Sequence, residues 1–144
     1  MGAVLMPEPP GSPSADAIRV AAVQTLHDAA ADKRLSTSLG VVRATVAIEL
    51  RGHPDATLVV RMEPDAIAVL DDDDSPTDIR LGMDPIDLHE LFAGGLHLPM
   101  KIARGQVTYT GQVRRFLRVI AILAEMGQTY ERHLGEAQER EEER

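Results

Sequence analysis

The side chains of this sequence that could perform chemistry are few, and they are scattered. His89-Glu90 begins like a zinc-protease motif, but position 93, where the second histidine would stand, is alanine. The five histidines, at positions 27, 53, 89, 97 and 133, include no pair with the spacing of metal ligands. The sequence therefore predicts no metal site and no resident cofactor.

The run of four aspartates at 71–74 is the other group that could bind a cation. A magnesium-diphosphate site of the terpene-synthase kind places its acids on a helix that faces a cavity. These aspartates instead lie between a predicted strand and Ser75-Pro76, so we expect a solvated loop. The sequence also lacks a nucleophile elbow, a phosphate-binding glycine loop and any cysteine. No catalytic residue is predicted.

The charge balance excludes one class of partner. The chain has 15 basic and 23 acidic residues, a net charge of −8, and nucleic-acid binding needs clustered lysine and arginine instead. The segments 71–74 and 136–144 hold −4 and −3 of that charge. Because no signal-peptide pattern and no apolar run long enough to cross a bilayer are present, we expect a soluble, cytoplasmic protein.

The elements that would position any site follow from periodicity. Residues 1–13, with four prolines and two glycines, are expected to form a disordered leader. Helical spacing predicts a first helix at about 15–34, and four alternating segments between 43 and 83 predict strands joined as an antiparallel meander. Asp84 and Pro85 then start a helix, and Pro99 opens a shorter one.

A fifth strand at 106–110, with Val107 and Tyr109 on one face, precedes a long helix at about 112–134 and a charged tail at 135–144. We therefore predict one α+β domain at 14–134. Its curved, five-stranded, mostly antiparallel sheet has the helices packed on one face.

The long last helix has two apolar faces. One arc faces the predicted sheet and has Ile120 at its centre. A second stripe on roughly the opposite side consists of Val119, Ile122 and Met126. Such a stripe needs an internal ligand, another segment of the chain, a second subunit or a membrane surface to bury against.

The stretch 91–124 has an unusual charge pattern. It contains no aspartate or glutamate, but it has five basic residues, Lys101, Arg104, Arg114, Arg115 and Arg118. It is also the most apolar part of the chain. An apolar pocket rimmed by positive charge suits an amphiphile with an anionic head.

Two motifs in this region resemble the sterol carrier protein type 2 (nonspecific lipid-transfer) family. They are Asp-Pro-Ile-Asp-Leu-His-Glu-Leu-Phe-Ala-Gly-Gly at 84–95 and Met-Lys-Ile-Ala-Arg-Gly-Gln-Val-Thr-Tyr-Thr-Gly at 100–111. The resemblance covers about residues 15–130 and implies a curved five-stranded sheet whose helices enclose an apolar tunnel. The family commonly has aspartate where this chain has Gln112, a poorer cap for the last helix.

The resemblance implies binding of sterols, fatty acids or acyl-CoA without a catalytic group. The predicted tunnel lining comprises Leu91, Phe92, Leu96, Leu98, Met100, Ile102, Tyr109, Val119, Ile122, Leu123 and Met126. The predicted mouth, which would meet a charged head group, comprises Lys101, Arg104 and Arg115.

The predicted function is non-catalytic binding and carriage of a fatty acid, acyl-CoA, phospholipid or sterol-like ligand. We expect a monomer or weak homodimer that contacts membrane surfaces transiently. Two alternatives stay open. One is a cavity enzyme of specialised metabolism that uses Tyr109 or His97 as acid or base. The other is an interaction module that dimerises through the stripe of Val119, Ile122 and Met126.

Overall fold

The computed structural model of the protein describes residues 13–64, 66–70 and 76–143. In chain order the elements are α1 (Ala15–Ala31), α2 (Lys33–Leu39), a 3₁₀ turn (Gly40–Val42), β1 (Ala44–Leu50), β2 (His53–Glu63), β3 (Ala66–Leu70), β4 (Ile79–Met83), α3 (Pro85–Ala93), α4 (Leu98–Ala103), β5 (Thr108–Thr110), α5 (Val113–Leu117), α6 (Ile120–Glu125) and α7 (Gly127–Glu142). The predicted leader, up to residue 12, and the aspartates at 71–74 lie outside the described residues.

The five strands form one mixed sheet in the order β3-β2-β1-β4-β5. The β1–β2, β2–β3 and β4–β5 pairs are antiparallel, which confirms the prediction of a mostly antiparallel α+β fold. The predicted meander is wrong for β4, which crosses over to pair with β1 in parallel, from Val46 opposite Ile79 to Leu50 opposite Met83. Tight turns fix the partners of β1, β2 and β3, whereas the longer β3–β4 connection leaves the partner of β4 undetermined by local sequence.

The helices contact one face of the sheet. On that inner face the alternating residues Val46 and Ile48 of β1 and Leu58, Val60 and Met62 of β2 are buried, each at most 3% exposed. The opposite face carries charged side chains, including Arg80, which forms an ion pair with Glu49. This alternation is the one that the sequence predicts for half-buried strands.

Helix α1 lies between the sheet and α7. Ser14 begins α1 by accepting a hydrogen bond from the Ala17 amide at 3.0 Å, and its hydroxyl donates to Glu141 near the end of α7. The predicted first helix ends early because the Asp32 side chain accepts from the Leu35 amide at 3.0 Å and caps a separate helix, α2.

The predicted long last helix is three helices. The chain leaves helical geometry at Val119 (φ −105°, ψ 6°) and again at Met126 (φ −91°, ψ 9°), and Gln112 makes no side-chain cap. The last helix, α7, continues to Glu142, so most of the predicted 135–144 tail is helical, and Ala137 is buried against the core.

These two breaks rotate the apolar faces. Val119 and Met126, predicted to lie opposite the sheet, are 0% and 5% exposed and belong to the core. Ile120, predicted to be central in the sheet-facing arc, is only half-buried. The assignment of the two faces from an ideal helix is therefore wrong for Val119, Ile120 and Met126, although α5 and α6 do have apolar residues on two sides.

Candidate ligand-binding site

The candidate site is an apolar seam between the inner face of the sheet and the helices. Nine apolar side chains line it, from α1, β1, β2, α3, α5 and α6: Leu26, Val46, Ile48, Leu58, Val60, Met62, Phe92, Phe116 and Leu123. Its volume is about 10 Å³, enough for about one water molecule and far below the roughly 300 Å³ at which small-molecule pockets begin. The open tunnel that the resemblance implied is not seen at this position, because the side chains of the helices and of the sheet are in contact.

Helices α5 and α6 form one wall of the seam, which we call the α5–α6 wall. Phe116 and Leu123 face the seam, and each is 2% exposed. The other side of the wall lines an open depression of about 380 Å³, the outer groove, formed by Leu96, His97, Leu98, Pro99, Leu117, Ile120, Ala121 and Ala124. A wall one helix thick therefore separates two apolar spaces.

Two glycines let the end of α3 approach this wall closely. Gly94 ends α3 with φ +97°, and a Cβ there would lie 3.5 Å from the Ala124 Cβ. A Cβ on Gly127 would lie 3.2 Å from the Ala93 carbonyl oxygen. The Gly94 distance is ordinary van der Waals contact, so its positive φ is what favours glycine there, whereas a side chain at Gly127 would push α7 away from α3.

The structure places the eleven predicted lining residues in four environments. Phe92 and Leu123 line the seam, whereas Leu96 and Leu98 line the outer groove. Ile102 and Ile122 are half-buried, while Met100 and Tyr109 are 44% and 48% exposed. The remaining three, Leu91, Val119 and Met126, are buried in the core.

Most seam residues are ones that the predicted lining omitted. Phe116, Leu26 and the inward residues of β1 and β2 supply seven of the nine side chains. The strand alternation could have identified the β1 and β2 members, because it places those positions on one face. Tyr109 pairs with Leu81 at the edge of the sheet, which explains its exposure.

The three predicted mouth residues have separate environments. Lys101 Nζ lies 3.2 Å from Asp87 Oδ1, and the Asp87 side chain is 4% exposed. The contact is an ion pair without hydrogen-bond geometry, and Oδ1 accepts no hydrogen bond within the part of the chain that the structure describes. Arg115 donates to the Arg43 carbonyl at 3.2 Å, and Arg104 is exposed. Lys101 and Arg115 thus have internal partners.

A buried tyrosine that the sequence analysis did not select connects the seam to α7. The Tyr130 side chain is fully buried, and its hydroxyl lies 3.0 Å from His89 Nδ1. Its ring centroid is 5.5 Å from that of Phe92. Burial, together with the nearby charge of Glu131, raises the pKa of Tyr130 above its ordinary value, so the hydroxyl is neutral.

The described residues contain no group of three histidine, aspartate or glutamate side chains that could hold a metal ion. Among the helices within 13–64, 66–70 and 76–143, none is long and apolar enough to cross a bilayer.

Comparison with known proteins gives the fold a name. The sterol carrier protein domain 2 of Helicoverpa armigera aligns with 82% of this chain and 96% of its own, at 15% identity and a TM-score of 0.60. A structure described as "UbiJ-SCP2 Ubiquinone synthesis protein" aligns with 85% of this chain and 96% of its own, at 15% identity and a TM-score of 0.57. Sterol carrier protein 2 from Yarrowia lipolytica, in its apo form, aligns with 81% of this chain and 85% of its own, at 19% identity and a TM-score of 0.51.

No protein-family model and no curated protein matches the sequence. At such identities the structural likeness shows the fold, and it confirms the five-stranded α+β fold that the two sequence motifs implied, without the tunnel.

Proposed function

Starting from the sterol carrier protein 2 fold of this chain, we propose that it binds a lipid between the sheet and the α5–α6 wall. The observation that supports this best is the seam itself. It is lined only by apolar side chains, and only the α5–α6 wall, one helix thick, separates it from the outer groove. The ligand is an apolar or amphiphilic molecule such as a fatty acid, acyl-CoA, phospholipid or sterol-like compound.

The closed seam opens when the ligand enters. Each CH₂ group that leaves water contributes about 0.8 kcal/mol of favourable binding free energy. A chain of roughly ten carbons can therefore offset the free energy needed to separate the wall from the sheet. A flexible acyl chain suits a seam of this shape better than a rigid ring system, because it needs less width at any one point.

The composition of the seam supports carriage rather than catalysis. None of its nine lining residues can donate, accept or hold a proton. Of the two side chains considered as acid or base, Tyr109 is 48% exposed at the sheet edge and His97 lies in the outer groove. Dimerisation through the stripe of Val119, Ile122 and Met126 has little support, because Val119 and Met126 are buried within the subunit.

Photoaffinity labelling tests the proposed site without altering the protein. Delipidated protein is incubated with a fatty acid that carries a diazirine in its chain, irradiated, digested and mapped by mass spectrometry. We expect labels on seam residues such as Phe92, Phe116 and Leu123, with competition by unlabelled fatty acid. Labels confined to the outer groove, or labels that unlabelled fatty acid does not reduce, would contradict an internal site.

A further inference from the structure

The outer groove is an exposed apolar surface outside the proposed lipid site. Its lining is apolar apart from His97, and Leu117 and Ile120 on the wall are only half-buried. Met100, on the helix α4 that forms the other side, is 44% exposed. In water this surface is unfavourable, so it is expected to be covered part of the time.

Three arginines lie within or directly after the helices that form the groove. Arg104 directly follows α4, Arg114 lies within α5, and Arg118 directly follows α5. All three side chains are exposed, and none makes an ion pair with the described residues. Lys101 is different, because Asp87 already neutralises it.

The acidic residues of the chain lie outside the segment that forms the groove. No acidic residue occurs in 91–124, although the whole chain has a net charge of −8. The nearby Glu125 pairs with Arg34 at 3.4 Å. The glutamates at 139–143 are at the far end of α7, about 18 Å or more along the helix axis from Gly127. That exceeds the Debye length of about 8 Å at physiological ionic strength, so their repulsion is largely screened at the groove.

We propose that the outer groove, with Arg104, Arg114 and Arg118, docks this protein on an anionic lipid bilayer. Arginines can contact lipid phosphates and carboxylates while apolar groove residues enter the boundary between head groups and acyl chains. This step deepens the proposed lipid-binding function and rests on it. Docking would press the outer side of the α5–α6 wall against the membrane while the seam lies directly behind that wall.

Vesicle sedimentation tests this docking face with charge-matched variants. The probes are phosphatidylcholine vesicles with and without phosphatidylserine, at low and high salt. The double variant Arg114→Gln/Arg118→Gln removes two basic residues from the face. The control Arg61→Gln/Arg140→Gln removes two exposed basic residues from the opposite sheet face and from α7.

Each basic residue near an anionic surface contributes about fivefold in binding, so the Arg114/Arg118 variant should bind phosphatidylserine vesicles roughly 30-fold more weakly. The control should change by less than about threefold, and high salt should weaken wild-type binding. Ile120→Gln should reduce binding without any change of charge, because it removes an apolar contact from the groove.

Failure of the docking proposal can be told apart from failure of the lipid site. If the two double variants bind phosphatidylserine vesicles equally, or if wild type does not bind them at all, the docking face is wrong. The photolabelling of the seam is read separately in solution without vesicles. If the seam is still labelled, the proposed lipid site is supported even when docking fails. If the protein docks on vesicles but the seam is not labelled, the lipid-site proposal is wrong and the docking proposal is supported.

Discussion

The helices on the two sides of this domain are packed very differently. The 17-residue helix α1 has eight buried residues, and five of them are alanine, which allows the sheet and α7 to approach it from opposite sides. On the other side, α4 and α6 each bury one of six residues, and α5 buries two of five.

Polar contacts occur on both sides. Asp28 of α1 lies 2.7 Å from His133 of α7, and the Ser14 hydroxyl donates to Glu141. The α4–α6 side has the Lys101–Asp87 pair, the Arg34–Glu125 pair and the Arg115 bond to a carbonyl, so the two sides differ in buried apolar residues rather than in polar contacts. Local opening is easiest where few apolar contacts hold an element. We therefore expect most of the stability to come from the α1–α7 side, and we propose that a ligand enters at the α5–α6 wall.

The largest expected effect compares the same substitution on the two sides. Ile18 of α1 is 1% exposed, whereas Ile120 of the wall is half-buried. Ile18→Ala should leave a core cavity and lower the free energy of unfolding by about 2–5 kcal/mol. Ile120→Ala should cost less than about 1 kcal/mol, since water and the open groove already border it. Urea denaturation of both variants measures the difference, and equal losses would show that the wall is as firmly packed as α1.

The Ile120 result also shows how far an ideal-helix pattern can predict which side chains face the core. From an ideal helix, Ile120 was expected at the centre of the sheet-facing arc. The break at Val119 involves no glycine or proline, so nothing in the local sequence marks it. One non-helical residue is enough to turn Val119 inward and Ile120 outward.

Other features were predictable because their signals are local. The strand alternation identified the inward residues of β1 and β2, and Asp84 with Pro85 marked the start of α3. The parallel β1–β4 pairing was not predictable, because strand order depends on the packing of the whole sheet. The seam was predicted only in part: its five sheet residues could have been identified from the alternation, whereas Leu26 of α1 and Phe116 of α5 are brought to it by the packing of the whole fold.

A second matched pair separates ligand binding from stability. Leu123 lines the seam and Leu134 lies on α7 outside it, and they are 2% and 7% exposed. Both changes to alanine should destabilise the free protein. Leu123→Ala should also tighten fatty-acid binding by about fourfold or more. The shorter side chain leaves space for at least one CH₂ group of the ligand, so the seam does not have to open as far.

Titration of delipidated protein with a fluorescent fatty acid checks this expectation. Leu134→Ala serves as the control and should leave the dissociation constant within about twofold of wild type. Equal changes in the two variants would indicate that general loosening of the fold, rather than the seam, controls binding.

The smallest expected effect concerns Tyr130, where the firmly packed α7 meets Phe92 of the seam. Tyr130→Phe removes a hydroxyl that lies 3.0 Å from His89 Nδ1. At neutral pH this should lower stability by about 1 kcal/mol, because half-buried His89 loses a partner that water replaces in part.

The alkaline range gives a sharper signature of the same substitution. Burial, aided by Glu131, raises the pKa of Tyr130 in the folded protein, whereas in the unfolded chain the phenol ionises near pH 10. Below pH 10 both states keep the proton and stability is unaffected. Above it only the folded state keeps the proton, so stability should fall by about 1.4 kcal/mol per pH unit.

Tyr130→Phe should remove that slope, so the wild-type and variant stabilities should converge and then cross as pH rises. Tyr109 is present in both proteins, so its contribution cancels in the comparison. Chemical denaturation at several pH values between about 8 and 11 measures the two slopes. Parallel curves would mean that Tyr130 reaches solvent, and the contact between α7 and the seam would then be as loose as the α5–α6 wall.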